Sequence, residues 1–443
     1  MPKTFISFLG AIEYFETCYF TMPDKSDLSA PMFYVQEAIL RQQVGWGGDD
    51  QVLIFTTSEA LEKNYVNRHS RGGAVPGLGL KSRLEALNKE GLISEFDSVN
   101  IPNGYTEDEI WTVFRSIIDR IRPGDDLYMD ITFGFRSLPM LALVLSNYAK
   151  AVKNVNVKAI YYGNYEAGRA ERDQQVKTLE EQGVDQSAID SAKRRIIEAP
   201  VLDLRPFLEL QQWTSAAEAF LDLGHSKPLS RLISEENMEL ASKLDQFAQS
   251  IITNRGLALV RDIDIDSLKQ QITLLQAEQV TPQLEPLLTR IAAKLDNFKT
   301  GDIQNGLTAV GWCIEHQLVQ QGYTLLQETL VSLVQECVFG KYDSFDHNWR
   351  SWVGALLSGM KVARLNNPPK SSADIQDLTE IEIWLQDKQN LIKSYRELTG
   401  TRGKRNDINH AGFKDEYASP ESLTNELSRI YSEVLLALER YKI

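Results

Sequence analysis

The sequence predicts an α/β unit built on a parallel sheet, followed by an all-α region. Two short runs, residues 4–10 and 51–58, have apolar residues on both faces and are separated by a stretch of helical pattern. Strands of that kind are covered on both faces, as in parallel sheets. From Leu208 onward apolar residues recur at helical spacing instead. Residues 130–139 place a strand end, a glycine turn and a helix start in succession, which is the ligand-side corner of an α/β sheet.

In chain order, residues 4–10 read as a buried strand ending at Gly10. The segment beyond it, with Tyr14, Thr17 and Tyr19, reads as a loop, and residues 31–40, with Gln36 and Glu37, as a helix. Residues 51–58 are a second strand running into a helix capped near Ser58, one turn before Lys63 and Asn64. Residues 71–82 are glycine-rich, but Leu80 rather than glycine precedes Lys81. The spacing of a P-loop fails, and the stretch reads as a surface loop. An acidic helix start follows at Thr106, Glu107, Asp108 and Glu109. After the turn at residues 130–139 comes a helix whose opening, Met140 to Leu145, is too apolar all round for a surface position. Residues 157–162 are a last strand of the parallel set, and residues 166–198, rich in Glu, Arg, Gln and Lys, read as an exposed helical insertion.

Ligands on such sheets sit at the carboxyl ends of the strands. Those ends supply Leu9 and Gly10, Thr56 and Thr57, Thr132 to Ser137, and Gly163 with Asn164. The amides of a helix start carry the positive end of its dipole. Arg136 adds a planar fork of donors, and Thr132 and Ser137 add hydroxyls.

The helical region shows successive core faces. They are Trp213, Ala216, Ala217, Phe220 and Leu221; Leu268, Ile272 and Leu275; and Leu284, Leu287, Leu288, Ile291 and Leu295, with Pro282 and Pro286 marking a break. A longer stripe runs from Tyr323 through Leu326, Leu330, Leu333 and Val334 to Cys337, ending near Gly340. The final stripe is Leu423, Leu427, Ile430, Val434 and Leu438, opened by Ser419 and Pro420. Between these two stripes lies residues 401–412, dense in cations within an acidic protein.

There Arg405 and His410 are five positions apart, about 140° around a straight helix, so they would not share a face. Either Arg405 lies in a loop before the helix, or two copies of the chain build the pocket together. The residue types suit RNA cleavage without a metal, because RNA carries its own nucleophile in the 2′-hydroxyl. Histidine moves protons near neutral pH, arginine holds the developing charge on phosphate, and Asn406 and Asn409 can orient the phosphate or sugar. Arg402 and Lys404 would guide the RNA backbone. His69, His225, His316 and His347 read as surface or packing residues.

Composition sets outer limits. The chain has 443 residues, 43% of them hydrophobic and 24% charged, with a net charge of −14 and an isoelectric point near 5.0. That balance excludes a surface coated with nucleic acid but allows a local basic site. Three cysteines, Cys18, Cys313 and Cys337, stand far apart, so neither a disulfide framework nor a zinc site is expected. No signal sequence or membrane span is read, and a cytoplasmic location is expected.

Ser7-Phe8-Leu9-Gly10, the run Tyr34-Val35-Gln36-Glu37-Ala38, the decapeptide from Asp130 to Pro139, and Asp203-Leu204 before Trp213 together resemble the sensor domain of CRISPR-associated ribonucleases of type III systems. Arg405-Asn406-x-x-Asn409-His410-Ala411-Gly412 resembles the catalytic motif of the HEPN domain in that family. The resemblance implies a Rossmann-like CARF domain over residues 1–207, a helical linker domain over 208–300 and a HEPN ribonuclease domain over 301–443. It implies a homodimer or larger assembly in which the CARF pair binds a cyclic oligoadenylate, expected to be cyclic tetra-adenylate. Single-stranded RNA is then cut at the HEPN interface, leaving a 2′,3′-cyclic phosphate, with no metal or cofactor. Carried over, Ser7, Phe8, Leu9, Gly10, Thr56, Thr57, Thr132, Phe133, Gly134, Phe135, Arg136 and Ser137 line the messenger site, and Arg405, Asn406 and His410 form the nuclease. The family usually has histidine where this chain has Phe133. An aromatic ring can stack on adenine but exchanges no proton, which leaves self-limiting cleavage of the activator without that group. The competing expectation is a nucleotide-sensing regulator that cuts nothing.

Overall fold

The computed structural model describes residues 1–22, 24–42, 46–134, 138–277, 284–340, 346–399, 404–413 and 417–441. The chain divides into two compact units, Met1–Glu209 and Leu210–Ile443.

The first unit begins with β1 (Lys3–Leu9), β2 (Thr17–Thr21), α1 (Val35–Gln42) and β3 (Gln51–Thr56). A single turn, α2 (Ser58–Ala60), widens into a π-helical segment, Leu61–Val66. Then come β4 (Arg68–Ser70), β5 (Gly73–Val75), α3 (Leu80–Lys89), β6 (Glu95–Asn100) and α4 (Glu107–Arg120). The unit closes with β7 (Asp126–Asp130), α5 (Leu138–Lys153), β8 (Asn156–Gly163), α6 (Tyr165–Glu181), α7 (Gln186–Arg194) and β9 (Ile197–Asp203).

Among the described residues one seven-stranded sheet runs β2-β9-β8-β7-β1-β3-β6. β1 lies between β3 and β7, parallel to both. Its side chains alternate between two cores. Phe5 and Leu9 join Val52 and Ile54 on one face, and Ile6 and Phe8 join Leu53 and Phe55 on the other. This two-sided burial is why both strands are mostly apolar, with Ser7 the buried polar residue in the middle of β1.

The sheet departs from the predicted parallel set at one seam. β9 pairs antiparallel to β8 and parallel to β2. Pairing with β8 is confined to Val201–Asp203, past Pro200, which has no N–H to give. Residues 17–21, read from sequence as loop, are the edge strand β2. Residues 71–82 are not simply a surface loop. Gly73–Val75 pairs antiparallel with Arg68–Ser70, and α3 starts at Leu80. Gly79 is required there, because a Cβ would stand 2.2 Å from the Tyr65 carbonyl oxygen. Residues 166–198 form α6 and α7. Both are mostly exposed, yet α6 packs along β9 and each helix buries an anchor, Val176 and Ile189. The segment is therefore part of the domain rather than a free insertion.

Helix α5 overturns the expectation of all-round burial. Ala142, Leu145 and Ala149 face the core, while Met140 is 77% exposed and Val144, Tyr148 and Val152 are exposed with it. These four stand at i, i+4 spacing and make one continuous stripe. Trp111 of α4 is exposed beside Phe114, which meets the Tyr148 ring edge-on at 5.3 Å.

Helix α8 (Arg205–Leu223) begins in the first unit and ends in the second. The second unit continues with α9 (Lys227–Glu236), α10 (Met238–Ile252), α11 (Ile265–Ala277), α12 (Glu285–Leu295), α13 (Asn305–Glu315) and α14 (Val319–Phe339). It ends with α15 (His347–Leu357), α16 (Ser372–Leu385), α17 (Gln389–Thr399), α18 (Lys404–Asn409) and α19 (Pro420–Tyr441). The predicted stripes fill one hydrophobic cluster that runs from Trp213 to Leu438, across residue 300. Cys337, exposed at the end of its stripe, and the partly exposed Leu423 are the exceptions. Gly340, at φ +66°, closes α14 in the left-handed region. His316 is a packing residue, its ring 4.6 Å from Trp312, and burial pushes its pKa down. Pro282 lies outside the described residues. Among the described residues no helix is long and apolar enough to cross a membrane.

Candidate functional site

Two sites emerge, one in each unit. In the α/β unit a cleft of about 380 Å³ opens where β1, β3 and β7 end. From the predicted set it is lined by Phe8, Leu9, Gly10, Thr57, Thr132, Phe133 and Gly134. Phe135, Arg136 and Ser137 lie outside the described residues.

Ser7 and Thr56 do not line the cleft; both are fully buried. Ser7 Oγ donates to Asp130 Oδ2 at 2.6 Å and accepts from Gln36 Nε2 at 3.0 Å. Asp130 Oδ1 accepts from the Thr132 hydroxyl at 2.6 Å and from its N–H at 3.0 Å. The Thr132 hydroxyl in turn accepts from Gly163 N–H at 2.8 Å. One buried carboxylate thus ties the ends of β1, β7 and β8 together and shapes the turn at Thr132–Gly134. Burial raises the Asp130 carboxyl above its usual range, against the pull of its Ser7 and Thr132 donors. Thr57, not Ser58, caps α2: its hydroxyl accepts from Ala60 N–H at 3.2 Å.

The rim is fixed by two further side chains. Asn64, fully buried in the π-helical segment, donates to the carbonyls of Gly10 and Ile12 at 2.8 and 2.7 Å, and accepts from His69 N–H. Gly10 N–H donates to the Tyr14 hydroxyl at 2.9 Å, and the Tyr14 ring meets Phe133 edge-on at 4.4 Å. Burial holds the Tyr14 phenol well above its usual pKa, so it stays protonated. Sequence reasoning missed Ile12, Glu59, Asn103 and Tyr105, which also line the cleft. Glu59 is neutralised by Lys63 at 2.6 Å. Tyr105 follows β6, a strand too polar to read as one; the exposed aromatic after Asn-Gly was the available signal.

In the helical unit, Arg405 is on α18 rather than in a loop before it. It is half-buried, and its Nε is out of water with no hydrogen-bond partner among the described residues. Asn406 is one residue on; Asn409 is exposed at the helix end, and His410 is exposed immediately after it. Ala411 at φ +52° and Gly412 at φ +69° reverse the chain, with Gly412 N–H bonded to the Asp407 carbonyl at 3.0 Å. Asp407 is buried and accepts from Ala418 N–H at 2.6 Å. The motif thus puts Arg405 against the core and His410 toward solvent, and no hydrogen bond joins them. Lys404 opens α18; Arg402 lies outside the described residues. Behind the motif, burial and then the Glu328 carboxylate raise the Tyr395 phenol, while Arg405 and Arg350 pull it down. Arg405 therefore shares a charged neighbourhood with α14 and α15.

Comparison with known proteins finds a separate match in each unit. A family profile described as the CARF domain of CRISPR system endoribonuclease Csx1 matches residues 4–166. A profile for the second domain of CRISPR-associated protein MJ1674 matches residues 209–302. CRISPR-associated protein MJ1674 of Methanocaldococcus jannaschii is 28% identical over 237 residues, 52% of this chain and 32% of that protein. The chain therefore spans about a third of the length of that relative. Among solved structures, Csm6 of Enterococcus italicus bound to cyclic hexa-2′-fluoro-hexa-dAMP aligns with a TM-score of 0.41 and 11% identity, over 99% of this chain and 93% of that one.

Proposed function

We propose that this chain, whose residues 4–166 match the profile of a CRISPR-associated CARF domain, is a ribonuclease switched on by a cyclic oligoadenylate in type III CRISPR defence. The observation that carries the sensor half is the cleft at the carboxyl ends of β1, β3 and β7, rimmed by Gly10, Gly134 and the Phe133 and Tyr105 rings. Adenine bases stack on Phe133 and Tyr105, and phosphates meet the turn at Thr132–Gly134. Cyclic tetra-adenylate is the first ring to test. Phe133→Ala is expected to weaken its binding about 10- to 100-fold, the worth of one stacked base. Calorimetry with unchanged affinity would remove Phe133 from the site.

The α5 stripe supports a paired sensor. Exposed apolar surface of that continuity marks an interface in soluble proteins, and two copies meeting along α5 would cover it. Val144→Glu is expected to shift the chain toward monomer in sedimentation velocity. An unchanged sedimentation coefficient would place the interface elsewhere.

In the helical unit, His410 serves as the proton-transfer group of a metal-independent HEPN centre completed by a second chain. It takes the proton from the ribose 2′-hydroxyl as that oxygen attacks phosphorus, and the 5′-oxygen leaves with a proton from the partner site. The products are a 2′,3′-cyclic phosphate and a 5′-hydroxyl. Arg405 holds the charge gathering on the non-bridging oxygens, Asn406 and Asn409 orient the phosphate, and Arg402 and Lys404 guide the strand. The separation of Arg405 on α18 from His410 just past its end supports a centre shared between copies. The decisive assay is cleavage of fluorogenic single-stranded RNA against cyclic oligoadenylates of different ring size, with and without EDTA. Cutting that needs messenger and survives EDTA is expected. Messenger binding with no RNA turnover would make the chain a nucleotide-sensing regulator instead.

A further inference from the structure

The helical unit holds a cavity that neither site above uses. It lies between the turn after α10 and the face of α14, with a volume of about 210 Å³. That is room for about seven waters, below the range of about 300–1,000 Å³ usual for ligand pockets. It suits one ring system rather than a whole nucleotide. Leu257, Val260, Ile303 and Leu325 give it apolar walls.

Its polar side combines acceptors with the Thr324, Thr329 and Ser332 hydroxyls, which can donate or accept. Asn254 Oδ1 is buried without a partner among the described residues, on a backbone fixed at φ +58°. Arg350 brings no spare charge. Its Nε and Nη2 donate to Glu328 Oε2 at 3.1 and 2.8 Å, and its Nη1 donates to Ser332 Oγ at 3.0 Å. Glu328 Oε1 has only a 3.4 Å contact from Gln327 Nε2. An unmatched arginine would select phosphate. A matched pair with acceptors left over selects a neutral group that donates N–H, as a carboxylate does with the amino group of cytosine. The cavity is linked to the candidate nuclease through a shared helix, although no described residue of α18 lines it. Its wall, α14, packs against α18, and Glu328, Arg350 and Arg405 all act on the Tyr395 hydroxyl.

We propose that this cavity receives an amino-bearing nucleobase, cytosine or adenine, of the RNA strand whose backbone meets Arg405 and His410. The RNA in that statement rests on the ribonuclease reading; the cavity's chemical preference is measurable without any cleavage. Cytidine and uridine titrated into the full chain, followed by NMR, are the probes. Wild-type protein is expected to bind cytidine at least tenfold more tightly than uridine. Asn254→Gly keeps the left-handed backbone and removes the acceptor, and should cut cytidine affinity about tenfold. Thr324→Tyr fills the space and should abolish binding. Equal affinity for the two nucleosides, or a cytidine preference unchanged in both variants, would overturn the assignment. A cytidine preference in a protein that cuts no RNA would uphold the cavity and remove the nuclease.

Discussion

His410→Ala is expected to lower messenger-activated RNA cleavage by about 10²- to 10⁴-fold, the usual worth of a positioned proton-transfer group. The histidine stands exposed at the end of a short helix, held by the reversal at Ala411 and Gly412 rather than by packing. Removing its ring should therefore leave the fold intact, and the loss should appear in kcat. Arg405→Ala is expected to lose a comparable factor, because the guanidinium is the group available to take up phosphate charge. Its side chain is half-buried beside α14 and α17, so part of that loss should be structural. Arg405→Lys separates the two effects: it restores charge without the planar fork. Stopped-flow or gel assays at saturating messenger decide the matter. A His410→Ala protein within threefold of wild type would sink the nuclease assignment.

Asp130→Ala is expected to have the largest effect on stability, about 3–5 kcal/mol lost. The carboxylate answers three donors, Ser7 Oγ, Thr132 Oγ1 and Thr132 N–H, in a place closed to water. Truncation leaves those donors buried without an acceptor, at about 1–3 kcal/mol each before relaxation. Asp130→Asn keeps an acceptor toward Thr132 but turns an N–H toward Ser7 Oγ, which already accepts from Gln36; it should cost less than alanine. The pH dependence has a definite sign. Burial raises the folded carboxyl, so the folded state holds the proton more tightly than the unfolded chain does. The proton-linked part of this group's contribution is full below the unfolded value of about 3.9 and is lost as pH rises through the folded value, while the accepted hydrogen bonds remain. Melting curves taken upward across that window should fall for wild type and flatten for Asp130→Asn. Equal slopes in the two proteins would show that Asp130 is ionised throughout.

Much of the fold could be read from residue order because burial writes itself into composition. β1 and β3 are apolar on both faces, and the helical stripes keep their period over several turns. The features that escaped notice are those where neighbours override local pattern. β6 is Glu-Phe-Asp-Ser-Val-Asn at a sheet edge, and an edge strand need not be apolar. β9 contains Pro200 yet pairs on both sides, because its contact with β8 begins one residue later. Helix α5 looked like an interior helix, since apolar content cannot tell a helix buried all round from one that leaves an apolar stripe exposed. The cleft was legible at Leu9, Gly10, Thr57 and Thr132 from the rule about strand ends. Its lower tier was not: Ser7 and Thr56 look identical to lining hydroxyls until their depth is known. At the C-terminal motif, spacing alone separated Arg405 from His410, and the placement of Arg405 on α18 removes the loop alternative.

The amide of Asn64 gives the sensor cleft a mechanical character. Gripping the carbonyls of Gly10 and Ile12 at once, it freezes that segment before any messenger arrives. The entropy of ordering this part of the rim is spent during folding rather than at capture. Association there should accordingly proceed by direct docking, without a slow isomerisation of this segment preceding it.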